Sequence, residues 1–188
     1  MGKISRRDFF YLAGITAGGL LILNVLNFTK ADNQGDIAMA TTNSAGSKAK
    51  VYFTKHIDAE HLIALYDRIN EGIYGKVGVK LHTGEKHGPN ILPPKMVKAF
   101  QQHVPDSVIV ETNTMYGGDR YTTEGHRETL KVNGWDFCPV DILDEDGGVD
   151  YPVRGGKHLQ SVTVGKNLDN YDSLVVLTHF KGLSLIHI

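Results

Sequence analysis

The sequence holds one cysteine, Cys138, in 188 residues. A lone cysteine excludes an internal disulfide, and it supplies too few thiolates for an iron-sulfur cluster or a cysteine-rich zinc site. Cys138 reads instead as a small, half-buried hydrophobe beside Phe137. Excess charge is lacking as well, since 20 Lys and Arg stand against 21 Asp and Glu. Removing residues 1–40 takes away four basic and three acidic residues and leaves 16 against 18. No basic surplus remains to neutralise phosphates, which argues against a nucleic-acid binder. A long uninterrupted apolar run is the third absence. Residues 9–28 come nearest and have about the length that crosses a bilayer. Gly14, Gly18, Gly19, Asn24 and Asn27 interrupt them, so no stable membrane span is expected after processing.

That interrupted stretch follows Ser5-Arg6-Arg7-Asp8-Phe9-Phe10. Paired arginines directly before an apolar run read as a twin-arginine export signal, with Arg6 and Arg7 as the residues the Tat translocase recognises. The route carries proteins that are already folded, which suits a protein that takes up a cofactor before export. Ala38-Met39-Ala40 offers small residues at the spacing a signal peptidase needs, and Thr29-Lys30-Ala31 is a second candidate. Residues 1–40 are therefore expected to be a signal peptide and 41–50, small and polar, a flexible leader. The expected destination is periplasmic or otherwise extracytoplasmic, with a membrane anchor if the signal stays uncleaved.

From residue 51 onward, apolar runs of strand length alternate with helical patterns. Strands are predicted at 51–54, 76–82, 107–111, 137–143, 149–153 and 173–178. Asp58 is placed to cap a helix carrying Leu62, Ile63, Leu65, Tyr66 and Ile69; Pro93-Pro94 opens a second helix; Thr122 or Thr123 caps a third that stops at Gly134. The turn-rich run Asp144-Glu145-Asp146-Gly147-Gly148 is expected to close a hairpin between 137–143 and 149–153. Alternating strand and helix predicts the α/β class, with a mainly parallel sheet and flanking helices.

In such sheets ligands bind beyond the carboxyl ends of the strands. Three strands run there into unusual polar sequences: Lys80-Leu81-His82-Thr83-Gly84-Glu85, then Glu111-Thr112-Asn113, and last Thr178-His179-Phe180-Lys181. His82, Glu85, Glu111 and His179 combine imidazole with carboxylate, a ligand set suited to a divalent transition metal. Lys80, Asn113, Arg120 and Lys181 would contact a small anionic ligand. Without metal, the same groups suit general acid and base work. As strand-end groups, His82 and Glu111 are expected to add little to stability. His56, His61 and His103 read as solvated residues in or beside helical surfaces. Glu124 and His126 cannot share a helix face. Gly155-Gly156-Lys157-His158 lacks the spacing of a phosphate loop.

Val51-Tyr52-Phe53, Lys80-Leu81-His82-Thr83-Gly84-Glu85, Pro93-Pro94, Glu111-Thr112-Asn113-Thr114, Tyr116-Gly117-Gly118-Asp119-Arg120, Gly156-Lys157-His158 and residues 172–182 occur in that order. Together they resemble the DUF362 family, in particular its branch of uncharacterised Fe-S centre proteins. The resemblance covers about 51–182 and implies an α/β protein without an established activity. It also implies a cysteine-rich segment holding a 4Fe-4S cluster in the second half of a full-length member. After His179-Phe180-Lys181-Gly182 the sequence departs from the family pattern. Residues 183–188 read as an artefactual tail, 51–182 as the amino-terminal part of a DUF362-like domain, and the sheet as incomplete at its carboxyl end. Two functions are open: a redox or metal-dependent protein acting at the strand ends, or a non-catalytic envelope protein that captures a small anionic ligand in the same crevice.

Overall fold

The computed structural model describes residues 52–179 throughout and 21–27 as backbone. The expected signal, leader and tail otherwise lie outside the described residues, as do Arg6, Arg7 and Lys181. A five-stranded sheet in the order β1-β7-β2-β3-β4 forms the centre. Its strands are β1 (Leu21–Asn27), β2 (Val77–Leu81), β3 (Ser107–Glu111), β4 (Val140–Ile142) and β7 (Ser173–His179). β7, β2, β3 and β4 run parallel, while β1 lies antiparallel on the outer edge of β7, with Leu21 opposite His179 and Asn27 opposite Ser173. A separate antiparallel hairpin joins β5 (Gly148–Pro152) to β6 (Ser161–Gly165). The chain is thus α/β with a mainly parallel sheet and flanking helices.

The three helices start where local chemistry permits. Asp58 caps α1 (Ala59–Tyr66) by accepting from the His61 amide at 2.9 Å. Pro94 is the first residue of α2 (Pro94–His103), a position with no backbone N–H to satisfy. Thr122 caps α3 (Thr123–Val132), and Gly134, at φ +80, follows its end in the left-handed region open to glycine.

Side chains alternate across the pleat, so β2 sends Val77, Val79 and Leu81 to one face and Gly78 and Lys80 to the other. The first face meets the helices. Leu62, Tyr66, Val97, Phe100 and Leu130 join Val79, Ile109, Val175, Leu177 and Trp135 in one buried cluster. Each large apolar side chain fully buried there stabilises the fold by about 1.5–3 kcal/mol. The opposite face carries a smaller cluster of Val110, Leu143, Tyr171 and Leu174. A short 3-10 helix, Lys166–Asn170, contributes Leu168 to its margin.

Two expectations need correction. Of the strand expected at 51–54, residues 52–54 are described and are not strand; Phe53 is 61% exposed. The turn at 144–148 closes no hairpin between its flanking strands, because β4 is used in parallel pairing with β3, Ile109 opposite Val140. β5 pairs instead with β6, a strand not anticipated, with Val149 opposite Val164 and Tyr151 opposite Val162. Among the described residues no helix is long and apolar enough to cross a membrane.

Candidate functional site at the strand ends

Register sets the level of the site. Lys80 lies opposite both Val110 and Val176, and Glu111 lies opposite Ile142. The polar residues that follow therefore emerge together at the carboxyl edge. The loop after β2 is pinned from α3's end: Trp135 Nε1 donates to the Thr83 carbonyl at 2.9 Å, and Asn133 Nδ2 donates to the carbonyls of Thr83 and Glu85 at 3.1 and 2.8 Å. Gly84 has φ +78, and a Cβ there would come within 2.2 Å of the Ile91 side chain. A side chain would therefore open the loop. Gly125 plays the matching part in α3, since its Cβ would meet the Asp119 carbonyl at 2.3 Å.

Glu111 is the centre of the polar cluster, although it is only 3% exposed. Its Oε2 takes the Lys80 ammonium at 2.6 Å and the Thr112 amide at 3.2 Å. Its Oε1 takes the Thr83 amide at 3.2 Å and Arg120 Nη1 at 3.4 Å. Arg120, itself 4% exposed, donates through Nη2 to Glu85 Oε1 at 2.6 Å, where the Tyr116 hydroxyl also donates at 2.9 Å. Charges thus alternate along Lys80, Glu111, Arg120 and Glu85, and each buried ion has an opposite neighbour. The Arg120 hydrogen bond holds the Glu85 carboxyl below its usual value against the opposing effect of burial. Burial works against the Arg120 charge, but the Glu85 and Glu111 carboxylates outweigh it and raise the guanidinium pKa.

His126 joins this cluster from α3. Its Nε2 lies 3.3 Å from Thr83 Oγ1 and its Nδ1 lies 3.1 Å from Asn113 Oδ1. Burial is the main reason its pKa is lowered, so the imidazole is held toward its neutral form. Asn113 is fixed on its other sides, with Nδ2 donating to Thr123 Oγ1 at 3.0 Å and its amide to Asp144 Oδ1 at 2.9 Å. Sequence reasoning passed over His126, Thr83 and Tyr116. For His126 the available signal was the helical spacing of His126, Thr129 and Leu130, which share the buried face of α3.

Beside the cluster, on the sheet face away from the helices, a cavity of about 790 Å³ opens. Lys80, His82 and Asn113 stand among its polar lining, and Leu143, Leu168, Leu174 and Val176 among its apolar lining. Lys80 uses two of its three donors, on Glu111 and on the Leu81 carbonyl at 2.9 Å, which leaves a third N–H for a ligand.

Of the residues expected at the site, Lys80, Glu85, Glu111, Asn113 and Arg120 come together through these contacts. His82 lines the cavity with Lys80 and acts electrostatically on Glu85. His179 is exposed at the end of β7, and Lys181 lies beyond the described residues. The four expected metal ligands do not gather as a set: Glu85 and Glu111 are turned to Arg120 and Lys80. Among the described residues, the histidine and carboxylate atoms that do gather belong to His56, Asp58 and His61.

No curated protein and no solved structure matches the chain. Residues 77–188, more than half of its length, match the family described as a domain of unknown function, DUF362. That span contains the parallel strands, the charged cluster and the cavity, and the chain belongs to the DUF362 family.

Proposed function

We propose that this DUF362 chain is a ligand-binding α/β domain whose strand-end groove takes a small molecule with an apolar body and one anionic group. The observation that carries the reading is the cavity itself. Its volume of about 790 Å³ falls within the roughly 300–1,000 Å³ of small-molecule sites, and it opens at the strand ends where such sites form. Leu168, Leu174 and Val176 suit the apolar body, and the remaining Lys80 donor with the neighbouring Asn113 suits a carboxylate. A metal-dependent reaction at Glu85 and Glu111 has less support, because both carboxylates would first have to leave Arg120 and Lys80. A four-iron cluster does not fit the cysteine of this chain: Cys138 is alone, and burial raises its thiol pKa.

The protein is proposed to work outside the cytoplasm, after Tat export directed by Arg6 and Arg7. The order of residues 5–28 supports this: two arginines, then an apolar stretch broken by glycine and asparagine.

Calorimetric titration of the full chain with decanoate and with decanol tests the groove. Decanoate is expected to bind once per chain and more tightly than decanol. Val176→Asp, which puts a carboxylate into the apolar lining, should abolish binding of both, and Lys80→Gln should weaken decanoate selectively. Failure of decanoate to bind, decanol binding as tightly as decanoate, or equal binding by Val176→Asp would contradict the reading.

A further inference from the structure

A second cluster lies outside the span matched to the family, at the start of α1. His56, Asp58 and His61 each bring one ligand atom to within 4.8 Å of the others. The His56 and His61 rings are stacked, with centroids 4.4 Å apart and planes at 29°. His61 Nδ1 lies 2.8 Å from Asp58 Oδ1 and 2.9 Å from Oδ2, so a proton sits between imidazole and carboxylate. The approach to the helix is held locally, because the His56 amide donates to Thr54 Oγ1 at 3.1 Å.

We infer that His56, Asp58 and His61 form a site for a divalent transition metal of the Zn²⁺ class. Two imidazoles and one carboxylate make a donor set such ions prefer, and three protein ligands leave a coordination position open to water. The metal takes the place of the proton now held between His61 and Asp58: the neutral imidazole carries its single proton on Nε2 and coordinates through Nδ1. Asp58 serves both the helix and the ion: Oδ1 already accepts from the His61 amide as the helix cap, and Oδ2 is left for the metal. All three ligands come from a six-residue segment, so little chain entropy is lost in bringing them together. Metal bonds of about 2 Å would draw these atoms closer together, through rotation of the exposed His56 and Asp58 side chains and the half-buried His61. The positive end of the α1 dipole opposes a cation there, and the Asp58 carboxylate offsets it.

Calorimetric titration of the full chain with zinc chloride, after chelator treatment, tests the site. One Zn²⁺ per chain is expected. His56→Ala and His61→Ala should each weaken it by more than about tenfold, since loss of even an outer-shell partner costs that much. Asp58→Asn keeps a capping oxygen for α1 and should still weaken zinc, which separates ligation from helix support. His103→Ala, whose ring pairs with Asp67 at 2.8 Å, should change nothing. Thermal melting of each variant establishes that it is folded. The inference is overturned if no zinc binds, if folded His56→Ala binds as the parent does, or if binding is lost on His82→Ala but kept in His56→Ala.

Discussion

Glu111 shows how far a residue's role depends on what lies around it. As a strand-end carboxylate it was expected to add little to stability, yet it is buried against Lys80, Arg120 and two backbone amides. Removing its charge leaves the Arg120 guanidinium, 4% exposed, with one carboxylate partner in place of two. Breaking a buried pair from one side costs about 3–5 kcal/mol, whereas a solvent-exposed pair is worth about 0–1. Glu111→Gln is therefore expected to lower unfolding free energy by about 3 kcal/mol in denaturant titration. Glu145→Gln, which breaks a more exposed pair with Arg127, should lower it by less than about 1 kcal/mol. Equal, small losses from the two would show that the strand-end charges are solvated after all. The residue types at the strand ends were legible from sequence, but their partners were not. Arg120 reaches Glu85 across 35 positions of sequence, and no local spacing encodes that contact.

Elements were legible where local chemistry and period agreed. Asp58, Pro93-Pro94 and Thr122 mark three helix starts that formed as expected, and the continuous apolar run at 173–178 became the strand between β1 and β2. Pairing was less legible. The glycine-rich turn at 144–148 looked able to close a hairpin, but strand partners are chosen by the whole sheet, and β4 was taken by β3. β1 is the sharper case. Leu21–Asn27 belongs to the stretch proposed as the export signal, and in the fold it covers the edge of β7. An uncovered edge strand invites pairing with other chains, so β1 would protect the folded protein until the translocase engages the signal. Recognition of the signal would rest on the fixed donor geometry of Arg6 and Arg7. Changing both to Lys keeps the charge and the β1 pairing, and should leave the protein in the cytoplasmic fraction. Unchanged export of that variant would remove the twin-arginine assignment.

At the scale of the molecule, the consequence of the topology is asymmetry. Crossovers through α2 and α3 move the same way along the sheet, from β2 to β3 to β4, and place the main core on one face. The other face is covered near Tyr171 and Leu168 by the smaller cluster, and toward the carboxyl edge it opens into the groove. Function is proposed for that opening, and the most direct measurement is to map a ligand onto it. Backbone amide shifts of the full chain followed during decanoate titration should move together, with one affinity, at residues 80–82, 112–113, 147–148 and 163–165, which line the groove. Amides of α1, on the opposite face, should stay still. Shifts absent from the groove, or concentrated in α1, would contradict a ligand site at the strand ends.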